Sequence, residues 1–401
     1  MKTLNTPTRA QALESFFQSW SFQPRTEQIP LAEACGRVLA ETQYSRHALP
    51  VVRASGMDGI GVDSSRFLNG IPDTSQWILG VDYARADTGD DFDDRFDAVI
   101  PIENITFDSR NAPRISPETQ VSAGSNVRGP GSMVKEGDLL MEKNLPLRPA
   151  DLAVLATGGV TEVPVYKKPR VAFIPAGSEL IPAGTPLSRG KNIDSNSIMA
   201  EHTLNEMGAR PICYPIVKDD LPALKEALRR ALAESDIVIV SGGSSKGDED
   251  YGVRLIQAEG ELIFQGIAAA PGRPMSAGIV GGKPVVNISG PTLAAFYGLD
   301  WFVRPIVAHC LSVPPLRRQK VTGVLTEDLS CPPAMEILCK VQVRRNEDGG
   351  YTVRPCSRNN ATMSSMMASN ALYISKIGGA GYKKGDTIEV ELLRSEEYLM
   401  I

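Results

Sequence analysis

Histidine is scarce in this sequence. His47, His202 and His309 are its only three, and they lie far apart. That scatter offers neither a Ser-His-Asp triad nor an imidazole metal cluster and disfavours nucleophilic hydrolysis. The six cysteines, Cys35, Cys213, Cys310, Cys331, Cys339 and Cys356, include no C-x-x-C pair, which argues against a zinc ribbon. No stretch reaches the roughly 18 apolar residues that span a bilayer, and Met1 to Ala10 carries no apolar signal core. The chain therefore reads as cytoplasmic, with reduced thiols serving mainly as small core residues. An excess of positive charge is also missing. The net charge is -5, so no general attraction to nucleic acid or an anionic membrane is indicated. An anionic ligand must be held locally.

What is present is ordinary globular composition, 42% apolar and 22% charged over 401 residues. At about 150 residues per domain that length allows about three units. Residues 8–19 carry Ala10, Leu13, Phe16 and Phe17 at helical spacing, and residues 31–41 read as a second helix after Pro30. From 47 to about 145, short apolar runs alternate with Gly, Pro and Asp, as short strands and turns do. The acidic stretch Asp87–Asp97 reads as a solvated loop. From 171 onward, apolar strands (171–176, 211–217, 236–240, 261–269, 275–280, 284–289) alternate with helices (195–207, a run starting at Asp219-Asp220, 251–259, 292–311). Strands apolar throughout imply a mostly parallel, doubly wound sheet covered on both faces. After Pro314-Pro315, alternating segments at 320–344, 351–355 and 387–393 imply a small all-β C-terminal domain.

In such a sheet ligands bind beyond the carboxyl ends of the strands. Three loops fall there: Ala176-Gly177-Ser178-Glu179, the loop from Ser241, Gly242, Gly243 and Ser244 through Lys246 and Gly247 to Asp250, and Ser289-Gly290-Pro291-Thr292. The second suits an anion, since glycines admit backbone N–H groups and the following helix offers its positive end. A flexible, ligand-free turn explains a Gly-Gly-Ser sequence equally well. The acidic residues Glu179, Asp219, Asp248, Glu249 and Asp250 are expected to gather beside this loop, and Asp194 precedes Asn196 at a helix start. Carboxylates beside an anion site suit a hard divalent cation that bridges both. Helix capping accounts well for Asp194 and Asp219, less well for Asp250 and Glu179. Pro271-Gly272-Arg273-Pro274 is a rigid turn presenting one guanidinium, a group suited to phosphate. Asp58, between glycines in Ser55-Gly56-Met57-Asp58-Gly59, is an exposed turn carboxylate.

Taken in order, these motifs resemble the molybdopterin molybdenumtransferase family, the bacterial MoeA proteins and the gephyrin E domain. S-G-M-D-G at 55–59 is similar to S-A-M-D-G, A-G-S-E-L at 176–180 to T-G-D-E-L, and D-S-N at 194–196 to D-x-N. The run at 241–251 is similar to S-G-G-V-S-V-G-x-x-D-Y, P-G-R-P at 271–274 to P-G-K-P, and the segment at 364–372 to S-x-M-x-x-A-N-A-L. Some segments depart from the pattern. I-S-G-P-T at 288–292 stands where the family has L-P-G-N-P, residues 124–133 lack its acidic pairs, and Ala270 stands where a lysine precedes P-G-K-P.

The resemblance implies Mg²⁺-dependent insertion of molybdate into adenylylated molybdopterin, with release of AMP. It implies an elongated homodimer, whose cleft lies between the α/β domain of one subunit and the β-rich insertion of the other. The implied parts are an α/β molybdopterin-binding domain (1–26 with 168–314), a linker and dimerisation domain (27–46 with 134–167), a β-rich insertion (47–133) and a barrel-like C-terminal domain (315–401). Asp58, Glu179, Asp219 and Asp250 would be catalytic, with Asp58, Glu179 and Asp250 on the metal. Ser241, Gly242, Gly243, Ser244, Gly247, Asp194, Asn196, Pro271, Gly272 and Arg273 would hold the pterin or its phosphate. Molybdopterin-adenylylating and cofactor-accepting proteins would be partners. The alternatives are a non-catalytic pterin- or nucleotide-binding relative acting in cofactor delivery, and an insertase for another oxyanion such as tungstate.

Overall fold

The computed structural model describes residues 6–243, 250–356 and 367–399. The chain forms two compact units, one of Met1–Arg25 with Tyr166–Ile401 and one of Thr26–Val165. Among the described residues no helix is long and apolar enough to cross a membrane.

The first unit opens with α1 (Arg9–Ser19), started by a capping box in which Thr8 and Gln11 satisfy each other's backbone amides. Its sheet is built from β1 (Arg170–Ala176), β2 (Arg210–Cys213), β3 (Ile237–Gly242), β4 (Glu261–Gln265), β5 (Ser276–Val280) and β6 (Lys283–Ile288). The order across the sheet is β2-β1-β3-β6-β5-β4. The first four strands pair in parallel, and β5 runs against both of its neighbours. The chain moves from β1 to β2 on one side and then to β3 on the other, so the strand order reverses between β1 and β3. That is the topological switch point where such sheets open a crevice.

Helices α2 (Asn196–Glu206), α3 (Leu221–Glu234), α4 (Tyr251–Glu259), α5 (Thr292–Gly298) and α6 (Arg304–Cys310) pack around the sheet. A π-helical turn at Leu299–Val303 joins the last two. Leu224, Ala227, Leu228 and Ala231, one face of α3, are buried against Ala172, Ile174, Val238 and Val240. A fully buried leucine such as Leu224 or Leu228 contributes about 1.5–3 kcal/mol.

The C-terminal strands β7 (Lys320–Leu325), β8 (Glu336–Arg345), β9 (Tyr351–Pro355), β10 (Ala371–Ile374) and β11 (Thr387–Leu392) close on themselves in the order β8-β9-β7-β11-β10-β8. Alternation along β7, with Val321 and Leu325 buried and Lys320 and Thr322 exposed, fills the interior of this small barrel.

The second unit has separate cores. One gathers Ile29, Leu39, Leu147, Leu155, Val163 and Val165. Another gathers Ile60, Val62, Phe67, Tyr83, Ile100 and Ile105 around the strand Gly59–Val62, which pairs with Ala84–Ala86 and Ala98–Pro101. Within the acidic loop, Phe92 and Phe96 are buried, and the Arg95 guanidinium beside Asp93 holds that carboxyl down to about 2.

The structure corrects three expectations for local elements. Residues 31–41 form a 3₁₀ turn at Leu31–Glu33 and no longer helix. Gly36 takes φ +73°, and Val38 and Leu39 bridge to Pro146 and Val165, so tertiary pairing overrides helical spacing. The strand expected over 211–217 stops at Cys213, and Val217 only bridges Ala176. The strand expected over 261–269 ends at Gln265, because Gly266 turns at φ +73°. Ala269–Ala270 instead pairs with Glu336 and Ile337 of β8.

Candidate functional site

The three loops foreseen beyond the strands do meet. Gly242, the last residue of β3, has φ +107°, and a Cβ there would lie 2.1 Å from the Ala176 carbonyl oxygen at the end of β1. Only glycine permits so close an approach at that φ. Gly290 sits against Gly242, its added Cβ falling 3.7 Å from the Gly242 Cα.

Asn196 fastens this junction. At 9% exposure, its Nδ2 donates to the Gly290 carbonyl at 2.7 Å and to Ser241 Oγ at 3.2 Å. Asp194, just upstream, accepts from the Ser197 amide at 3.1 Å and its hydroxyl at 2.6 Å, so it caps α2 as capping logic requires. Ser195 and Thr292 hydroxyls lie 3.2 Å apart, which ties the start of α2 to the start of α5.

The loop after β1 is clamped from the other side. Ser178 N donates to Asp219 Oδ2 at 3.0 Å, and Asp219 N donates to Ser178 Oγ at 3.1 Å. Asp219 is therefore not the cap of α3. Asp220 fills that position, accepting from Ala223 N. Glu179 is exposed, and its carboxylate folds over Gly177, whose added Cβ would meet Glu179 Oε2 at 2.9 Å. Lys191 Nζ donates to the Ser178 carbonyl at 2.8 Å.

Asp250 caps α4, accepting from Val253 N at 3.1 Å, and it also accepts from Asn287 Nδ2 at 3.3 Å. Burial pushes its carboxyl above the ordinary aspartate value, against the lowering by the Val253 and Gly252 amides. Four buried oxygens around this end of the sheet, Asn196 Oδ1, Ser276 Oγ, Asn287 Oδ1 and Ser289 Oγ, have no hydrogen-bond partner among the described residues. Unsatisfied buried acceptors in native proteins call for an explanation, and a bound ligand or cation supplies one. Asn287 and Ser289 are the residues that the motif reading undervalued. Asn287 is the last but one residue of β6 and Ser289 follows its end, and the register of that strand could have marked them.

Arg273 is exposed on the hairpin loop between β4 and β5, with Pro271 half-buried and Gly272 at φ +105°. Because Ser276 pairs with Asn287, this loop emerges at the same edge of the sheet as Ser289. Gly243 continues from Gly242 at φ +67°, while Ser244 and Gly247 lie outside the described residues.

Asp58 belongs to the other unit. Its exposed carboxylate accepts from the Thr88 hydroxyl and the Thr88 amide, both at 2.6 Å, and these bonds hold its pKa below the ordinary value. Gly59 is required next to it, since a Cβ there would lie 1.9 Å from the Ile100 carbonyl oxygen. Glu179 and Asp250 belong to the first unit. Among the described residues no three His, Cys, Asp or Glu come together as a metal site.

Three family models match the chain in order. They are "MoeA N-terminal region (domain I and II)" at residues 8–159, "Probable molybdopterin binding domain" at 172–309 and "MoeA C-terminal region (domain IV)" at 322–393. The molybdopterin molybdenumtransferase of Staphylococcus aureus is 28% identical over 390 residues, covering 92% of this chain and 91% of the relative. That of Bacillus subtilis is 28% identical over 393 residues, covering 93% and 91%. A solved molybdopterin biosynthesis MoeA protein from Pyrococcus horikoshii matches with a TM-score of 0.74 at 26% identity, over 96% of this chain and all 100% of its own. Another from the same organism gives 0.79 at 24% identity, over 97% and 100%, and supports the fold. The three models in sequence, the full-length relatives and the glycine-lined sheet mouth lead to one assignment: the chain belongs to the MoeA, or molybdopterin molybdenumtransferase, family.

Proposed function

We propose that this protein works in molybdenum cofactor biosynthesis, inserting molybdate into adenylylated molybdopterin with Mg²⁺ and releasing AMP. The observation that carries the proposal is the junction of Gly242, Gly290 and Asn196 at the switch point. It is a rigid mouth in which backbone approaches within contact distance and buried acceptors stand unsatisfied. Rigid placement of donors and acceptors is what a site needs in order to orient a phosphorylated substrate before reaction.

In this reading Ser241, Gly242 and Gly243 present backbone to the pterin phosphate, and Arg273 adds a guanidinium from the neighbouring hairpin. Asn196 keeps the 241 and 290 loops in register. Mg²⁺ is usually held by one or two carboxylates together with substrate phosphates and waters, so a complete protein cage is not required. The oxygen donors of the mouth suit such an ion: Asp250 and Glu179, with Asn287 Oδ1 and Ser289 Oγ, and Asp58 would add a carboxylate as the resemblance implies. The cation would offset the charge of two anionic reactants. Asp219, through its clamp on Ser178, positions the Glu179 loop. The protein would act in the cytoplasm as a homodimer, taking substrate from an adenylylating protein and passing product to cofactor-accepting enzymes.

A second reading, binding without insertion, is favoured by Ala270. That residue stands where the resemblance expects a lysine, and its backbone is engaged in pairing with β8. The two readings part in one assay. Adenylylated molybdopterin, molybdate and Mg²⁺ should give AMP that depends on both molybdate and protein. Tight pterin binding with no AMP release would leave only the second reading standing.

A further inference from the structure

The guanidinium of Arg273 has no hydrogen-bond or ion-pair partner among the described residues, so its place follows from its backbone alone. Two backbone hydrogen bonds close its hairpin. The Ile267 amide donates to the Arg273 carbonyl at 3.0 Å, and the Gly266 amide donates to the Met275 carbonyl at 2.8 Å. One residue beyond Ile267, Ala268 is held from both sides. Its amide donates to the Pro7 carbonyl at 2.8 Å, and its carbonyl accepts from the Glu336 amide at 2.9 Å. Ala269 and Ala270 then pair in parallel with Glu336 and Ile337 of β8.

Side chains close the ring around Ala268. Arg9 Nε donates to Glu336 Oε2 at 2.7 Å, which joins the first residue of α1 to the first residue of β8. The two side chains are 26% and 21% exposed, so salt screens this pair less than one on the open surface. The Arg9 guanidinium also lies 4.7 Å over the Trp301 ring. Trp301 in turn backs Gly272, whose added Cβ would fall 3.4 Å from Trp301 Cζ2. Two routes thus run from the Arg9–Glu336 pair to Arg273. One passes through Ala268 and Ile267 to the Arg273 carbonyl, the other through Trp301 to the residue before it. All of these residues belong to the first unit.

We propose that Arg9 and Glu336 are positioning residues for substrate binding. Their ion pair, running from the N-terminal helix to the C-terminal barrel, sets the place of the 266–273 hairpin and so of the Arg273 guanidinium. The proposal rests on the reading of Arg273 as a phosphate contact given above. It gives the barrel a part in that contact through backbone and charge. Displacing a group in a rigid site by about 1 Å can cost as much as about 10²-fold, so slack in this ring reaches the substrate.

The test is calorimetric titration of the full-length protein with adenylylated molybdopterin in the presence of Mg²⁺, with urea unfolding of each variant alongside. The set is wild type, Glu336→Gln, Arg9→Gln, Arg9→Lys, Arg273→Ala and the double variant Glu336→Gln/Arg273→Ala. Arg273→Ala should weaken binding on the order of tenfold or more, the loss of a charged phosphate contact. Glu336→Gln and Arg9→Gln should each weaken it on the order of threefold to tenfold. Arg9→Lys should keep most of the affinity, since an ammonium retains the ion pair. In the Arg273→Ala background, Glu336→Gln should have no further effect, because its route to the substrate has gone. Wild-type affinity in Arg273→Ala would refute the phosphate role of Arg273 and this proposal with it. Weakened binding in Arg273→Ala but wild-type affinity in Glu336→Gln, whatever its urea midpoint, would overturn the positioning role alone. An equal weakening by Glu336→Gln with and without the Arg273 side chain would overturn it too.

Discussion

The mouth of the sheet and the Asp58 turn carry related chemistry but are built in different ways. At the mouth, side chains distant in sequence fasten one another. Asn196 reaches residues 241 and 290, and Ser178 and Asp219 exchange two hydrogen bonds across 41 positions. Asp58 instead stands exposed on a short turn, its carboxylate held by Thr88. The mouth is thus part of the core, where changing a functional residue also disturbs the fold. The turn displays a carboxylate that can be removed with little structural cost.

The most damaging change should be Gly242→Ala. With φ +107° and a carbonyl oxygen 2.1 Å from the new Cβ, the strand end must separate from β1, at a cost of about 3 kcal/mol or more. Urea unfolding measures it. A loss under 1 kcal/mol would mean that the mouth is softer than its packing implies.

Asn196→Ala comes next. It strips partners from the Gly290 carbonyl and Ser241 Oγ, and should cost about 1–3 kcal/mol along with most AMP release. Full activity in a destabilised variant would separate the latch from the chemistry.

The readable parts of the sequence were those whose cause is local. Strands such as 171–176 and 236–240 are apolar throughout because both faces are covered, and the glycine pairs mark the turns. The helix expected over 31–41 shows the limit, since its periodicity was real but bridges to Pro146 and Val165 decided the outcome. Asp219 and Asp220 could not be told apart as caps by sequence alone, because the partner of Asp219 is Ser178 in another loop. Thr88, 30 residues from Asp58, left no sequence signal at all. The orphaned Asn287 and Ser289 became visible only once β6 had a register.

A smaller effect should mark Asp250→Asn. Asparagine can also cap α4, so the helix start survives. The carboxyl has a folded pKa raised by burial, so the protonated form favours the fold. Its contribution is complete below the ordinary aspartate pKa and is lost as pH rises through the raised value. The variant should therefore gain stability relative to wild type between about pH 3.5 and pH 7, in matched thermal melts. A gap that narrows over that range would contradict the burial account.

The sharpest single measurement pairs AMP release with urea unfolding for Asp58→Asn. The account predicts that wild type releases AMP in the presence of molybdate and Mg²⁺. It predicts that the variant loses on the order of 10²-fold or more of that rate while its unfolding midpoint stays within error of wild type. Unchanged turnover in the variant, or a midpoint shift as large as that of Asn196→Ala, would contradict the contrast between a structural mouth and a displayed carboxylate.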